Sequence, residues 1–120
     1  MYIKKFQDCQ QFIAGDDSIL REYLHPDKED LKINYSLAHA IVKRGQVTKP
    51  HKLKTSEVYY ILEGKGLMHI DGEAWQVGPM DVVYIPPFAV QYIENIGDRD
   101  LKFLCIVDPA WKLEDEQIIL

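Results

Sequence analysis

The chain has 120 residues, 47% of them hydrophobic, with 14 Lys and Arg against 19 Asp and Glu for a net charge of −5. That length suits a single domain over 1–120 with one core, and the apolar content excludes a disordered chain. The acidic balance speaks against nucleic acid and anionic membrane as partners, and no apolar run approaches the ~20 residues of a spanning helix.

From the N-terminus, MYIKKFQDCQQF lacks the apolar run of a signal peptide. The two cysteines, Cys9 and Cys105, have no CxxC spacing, and free thiols suit a reducing cytoplasm. Strands are predicted at Ile19–Leu24, Ile33–Val42, Val58–Leu62, Leu67–Ile70, Ala74–Val77, Val82–Ile85, Val90–Ile93 and Leu101–Val107. Short strands in regular succession read as a β-sandwich or barrel. Gly64-Lys65-Gly66 and Asp71-Gly72 carry hairpin chemistry, and Gly78-Pro79 and Pro86-Pro87 end strands. Asp108-Pro109 predicts the cap of one helical turn. The tail Leu113–Leu120 receives no element, and its acidic run Glu114–Glu116 reads as a solvated face.

Side-chain size sorts the faces of these strands. Between Ile33 and Val42 one face carries Asn34, Ser36, Ala38, Ala40 and Val42, which suits the inside of a narrow barrel. The other carries Tyr35, Leu37, His39 and Ile41, so His39 is expected outside, toward a subunit contact. His69 is expected outward and His25 solvated in a turn, with Trp75 and Trp111 as packing residues. Val58–Leu62 and Leu101–Val107 are apolar on both faces, which calls for cover by another layer, the tail or a second subunit. A homodimer is the simplest source of that cover.

The segment from Gly45 to Gly64, GQVTKPHKLKTSEVYYILEG, carries Gly45, His51, Glu57 and Gly64 at the spacing of the first cupin motif. Downstream, DVVYIPPFAVQYIEN places Asp81, Pro86 and Asn95 as in the second. The chain thus resembles the cupin superfamily over about 33–107, and its layout is similar to small single-domain cupins grouped with mannose-6-phosphate isomerase. The resemblance implies an all-β fold, the cupin double-stranded β-helix or jelly-roll barrel. It also implies a divalent metal (Mn, Fe, Ni or Zn) held by three His and one Glu inside the barrel. Here Leu53 and Gln91 stand at two of those His positions, and Met80 and Phe88 at two motif glycines. The metal candidates that remain are His51, Glu57 and, through its amide oxygen, Gln91.

Gln91 reads more readily as a polar pocket residue that hydrogen-bonds backbone or ligand than as a metal ligand. Tyr59 shares the face of Glu57 by strand parity. Cys105 reads either as a buried hydrophobe or as a cavity residue. No catalytic residue is assigned. The expected function is a metal-binding cupin acting on a small polar organic molecule, by sugar or sugar-phosphate isomerisation or epimerisation or by oxygenase-type chemistry. The alternative is a non-catalytic binding or sensing barrel with a degenerate metal site.

Overall fold

Burial alternates residue by residue along the strands, as a period-two backbone with one inward face requires. The computed structural model describes residues 1–119; Leu120, the end of the tail, lies outside the described residues. Its strands are β1 (Gln11–Ile13), β2 (Ile19–Leu24), β3 (Ser36–Val42), β4 (His51–Leu53), β5 (Ser56–Glu63) and β6 (Gly66–Ile70). They continue as β7 (Glu73–Val77), β8 (Val82–Ile85), β9 (Gln91–Asn95), β10 (Leu101–Asp108) and β11 (Glu116–Ile118). Two antiparallel sheets result, a six-stranded one in the order β1-β2-β3-β10-β5-β8 and a five-stranded one in the order β11-β4-β9-β6-β7. This is the expected jelly-roll arrangement. No helix among the described residues is long and apolar enough to cross a membrane.

All eight predicted strands are present, and the inside of β3 is its small face. Buried Phe103, Cys105 and Val107 on β10 face the same interior. The far half of the barrel is filled by Ile61, Met68, Ile93 and Leu101, each 3% exposed or less. The near half, under β1, β4 and β11, stays open as a cavity.

Backbone conformation follows the motif. Gly64 has φ +88°, and a Cβ there would lie 2.7 Å from the Asp100 carbonyl oxygen, so the position tolerates glycine alone. Met80 (φ 74°) and Phe88 (φ 67°) adopt the left-handed conformation that motif glycines would take. Both side chains are exposed. The strain of a non-glycine residue there, about 1 kcal/mol each, is carried by the turns on either side of β8. Asn95 closes the motif, donating to the carbonyls of Val42 (2.9 Å) and Arg99 (2.8 Å).

Several expectations are corrected. Asp71-Gly72 does form the β6–β7 hairpin with both φ positive, but Gly64-Lys65-Gly66 is no hairpin: β5 and β6 lie in different sheets. Asp108-Pro109 caps no helix, because β10 runs to Asp108 and the helical turn that follows among the described residues is a 3-10 turn at Leu113–Asp115. The tail is not merely solvated, since β11 pairs with β4. His25 is buried, with Nε2 2.7 Å from the Trp111 carbonyl oxygen. His39 does lie outside, but its cover is the chain's own Phe6, whose ring packs edge-on at 5.0 Å. His69 stacks on Tyr92 at 4.1 Å and bonds Glu94 at 2.7 Å on the outer side of β6.

Candidate functional site

The open half of the barrel holds a cavity of about 280 Å³. His51 and Leu53 reach it from β4, Glu57 and Tyr59 from β5, Phe103 and Cys105 from β10, and Ser36 and Ala38 from β3. Period-two geometry explains the pairs: residues two apart on one strand share a face. His51, Glu57, Tyr59 and Cys105 are therefore brought together.

Gln91 is not on the cavity wall but directly behind it. It is completely buried on β9 and bridges the two sheets. The Tyr59 hydroxyl donates to Gln91 Oε1 at 2.9 Å, and Gln91 Nε2 donates to Glu57 Oε1 at 3.0 Å. The amide thus orients Glu57. His51 donates from Nδ1 to the Lys49 carbonyl at 2.9 Å, since a carbonyl can only accept, and this leaves Nε2 toward the cavity.

Two acids that sequence reasoning missed complete the wall. Asp16, in the turn between β1 and β2, is buried, and its Oδ1 accepts from the Ser18 amide (3.0 Å) and hydroxyl (2.6 Å). Its Oδ2 lies 3.9 Å from His51 Nε2. Glu116, on β11, accepts from Trp111 Nε1 at 3.1 Å, so both residues of the tail region belong to the cavity. An Asp-x-Ser turn was the one sequence signal for Asp16. Glu116 had none, because its run looks like any exposed acidic segment.

Burial dominates the electrostatics. Glu57 is pushed up to about 8, chiefly by desolvation and further by Asp16 and Glu116, with the Gln91 hydrogen bond opposing. Burial likewise raises Glu116, with His51 opposing, then Asp16 raising and the Trp111 bond opposing. The Tyr59 phenol and Cys105 thiol are pushed well up by burial and then by Glu57, so Cys105 is a neutral wall residue and no nucleophile.

The donor set does not fit a divalent cation. Leu53, 3% exposed, puts methyl groups where an imidazole would converge. Gln91 has its amide engaged on both atoms by Tyr59 and Glu57. Among the described residues no three His, Cys, Asp or Glu side chains come together as a metal-holding group. His51 and Glu57 alone fall short of the three protein ligands of a catalytic site.

Comparison with known proteins places this geometry. Residues 38–107 match the family described as "Cupin domain". The uncharacterized protein MJ1618 of Methanocaldococcus jannaschii is 45% identical over 96% of this chain and 92% of its own length. Glucose-6-phosphate isomerase of Pyrococcus furiosus is 32% identical over 81% of this chain, which spans only 59% of that enzyme. Among solved structures, a predicted oxalate decarboxylase of Thermotoga maritima superimposes with a TM-score of 0.79 at 21% identity, covering 90% of this chain and 99% of that one.

Two predictions follow from the wall. A carboxyl raised from 4.5 to about 8 on folding is protonated in the folded state and ionised in the unfolded state between those values. Stability therefore falls as pH rises through that window and levels off above it. Glu57→Gln keeps the hydrogen bond and removes the titration. It should melt close to wild type near pH 5 and be more stable by a few kcal/mol near pH 8; equal melting temperatures at both pH values would show Glu57 to be ionised without penalty. Leu53→His should add an imidazole facing His51 and Glu57 and raise affinity for Mn, Fe, Ni or Zn by at least ~10-fold, read by calorimetry. No gain would mean that position 53 does not share the metal-facing geometry.

Proposed function

The chain belongs to the cupin family, and from that premise we propose that its cavity binds a small polar organic molecule and moves a proton on it, as in isomerisation or epimerisation. The observation that carries this is the division of labour within Glu57 and His51. Each commits one polar atom to the scaffold, Glu57 Oε1 to Gln91 and His51 Nδ1 to Lys49, and keeps the other for the cavity. His51 Nε2 is the atom that serves as the base. Glu57, held near neutrality by burial, has the proton of an acid. In this reading Nε2 takes the proton from the carbon next to a substrate carbonyl while Glu57 protonates the carbonyl oxygen. The enediol then collapses to product: His51 Nε2–H returns the proton to the former carbonyl carbon while Glu57, now a carboxylate, takes the proton of the hydroxyl on the adjacent carbon, which becomes the new carbonyl. The isomerase name of the Pyrococcus furiosus relative supports the reaction class.

The test is deuterium wash-in from D2O at the carbon next to the carbonyl of small hydroxy-aldehydes and hydroxy-ketones, followed by NMR. His51→Gln and Glu57→Gln should each slow exchange by about 100-fold or more. Exchange unchanged by both would end the acid–base assignment. The binding-only alternative is favoured by the two lost motif imidazoles, Leu53 and Gln91. It predicts saturable binding with no exchange in wild type.

We also propose that two copies pair through the outer face of the six-stranded sheet. Cross-strand register lines up Leu104, Tyr60 and Val82 in one row and Ile106, Val58 and Tyr84 in the next. Phe6 covers His39 at the β3 end of the first row, whereas Val82 and Tyr84 at the β8 end stay 62% and 60% exposed. An apolar surface continuous over three strands marks an interface in a soluble protein. Sedimentation at micromolar concentration should give twice the 14.0 kDa chain mass, and Tyr84→Lys should return the monomer. A monomeric wild type would refute the pairing.

A further inference from the structure

We propose that the cavity selects an organic cation, a protonated amine on a small, partly apolar frame, and rejects phosphorylated or carboxylated molecules. This rests on reading the cavity as a ligand site and narrows what that site takes.

Four acidic residues line one space: Asp16 from the β1–β2 turn, Glu22 from β2, Glu57 from β5 and Glu116 from β11. The opposing charge is slight. Among the described residues lining the cavity, Lys28 is the one Lys or Arg, and its Nζ is 2.7 Å from Glu22 Oε1, which also lines the wall. His51 is the remaining basic group, and Asp16 stands beside it. A phosphate or carboxylate would enter against these acids without an Arg or Lys fork to receive it, a like-charge placement that discriminates strongly against a ligand.

The polar wall keeps atoms free for a ligand. His51 and Glu57, 4% and 6% exposed, each commit one polar atom to the scaffold, Nδ1 to Lys49 and Oε1 to Gln91, and line the cavity with the rest of the side chain. An ammonium group brings three donors and no acceptor, which suits the carboxyl oxygens that Asp16 and Glu116 bring to the wall. The rest of the wall fits the frame of such a molecule. Tyr59 and Phe103 pack with ring centroids 4.4 Å apart, and Trp111 lines the cavity beside Glu116. Aromatic faces attract cations as well as apolar carbon. At about 280 Å³ the space admits only a small ligand.

The experiment compares three matched probes, 2-phenylethylamine, 2-phenylethanol and phenylacetate, on protein treated with EDTA so that no metal bridges an anion. Binding is read by calorimetry and ligand-observed NMR near neutral pH. The amine should bind at least ~10-fold more tightly than the alcohol, and the carboxylate most weakly. Glu116→Gln keeps an acceptor for Trp111, and Asp16→Asn keeps one for Ser18; each should narrow the amine-to-alcohol ratio severalfold. If Asp16→Asn does not fold, the ratio in Glu116→Gln decides. Tighter binding of phenylacetate or of glucose 6-phosphate, or a ratio unmoved by the variants, overturns the cation preference and leaves the ligand site standing. Failure of all three probes to bind overturns the preference and the ligand-site reading together.

Discussion

The hydrogen-bond chain from Tyr59 through Gln91 to Glu57 is the constraint on which the site depends. Tyr59 and Glu57 lie on β5 of the larger sheet and Gln91 on β9 of the smaller, so the chain ties the two layers across the barrel interior. A buried carboxyl without a partner would cost several kcal/mol, and the amide removes much of that cost for one oxygen. It leaves the second oxygen directed to the cavity. Because Gln91 is completely enclosed, its amide has no water to exchange with, and the direction of Glu57 is fixed by packing as well as by hydrogen bonding.

The cavity exists because the same sheets are filled unequally. Buried Ile61, Met68, Ile93 and Leu101 close one half, while Ser36 and Ala38 on β3 leave room in the other. The roof comes from both ends of the sequence. The β1–β2 turn delivers Asp16, and β11, paired to β4 from Glu116 to Ile118, delivers Glu116 next to the strand that carries His51. These terminal pieces add Asp16 and Glu116 to the two polar groups, His51 and Glu57, that survive from the motif.

The legible part of the fold was the part written locally. Alternation and turn chemistry located eight strands, the Asp71-Gly72 hairpin and the small inner face of β3. Motif spacing pointed to His51 and Glu57, strand parity added Tyr59 to the face of Glu57, and all three line one cavity. The three-residue strands β1, β4 and β11 escaped because so short a run has no resolvable period and forms only against a partner far away in sequence. The hairpin reading of Gly64-Lys65-Gly66 failed for a related reason: glycine signals a backbone turn, but only tertiary packing decides whether the strands beside it pair or part into two sheets. His25 and Glu116 looked solvated since their burial depends on Trp111, 86 residues from one and 5 from the other, folding back between them.

The two departures from the cupin motif act in one direction. An imidazole that binds a metal keeps a nitrogen lone pair for the cation, and the cation's full charge then stabilises the neighbouring carboxylate. Gln91 offers Glu57 an N–H dipole instead, and Leu53 adds no polarity at all. A dipole compensates a buried negative charge only in part, and Asp16 and Glu116 oppose ionisation further. The carboxyl meets that deficit by holding its proton up to about 8. Where the family motif would place imidazoles, this chain thus has a methyl-lined wall and an amide dipole, and the buried Glu57 carboxyl is the group whose titration responds.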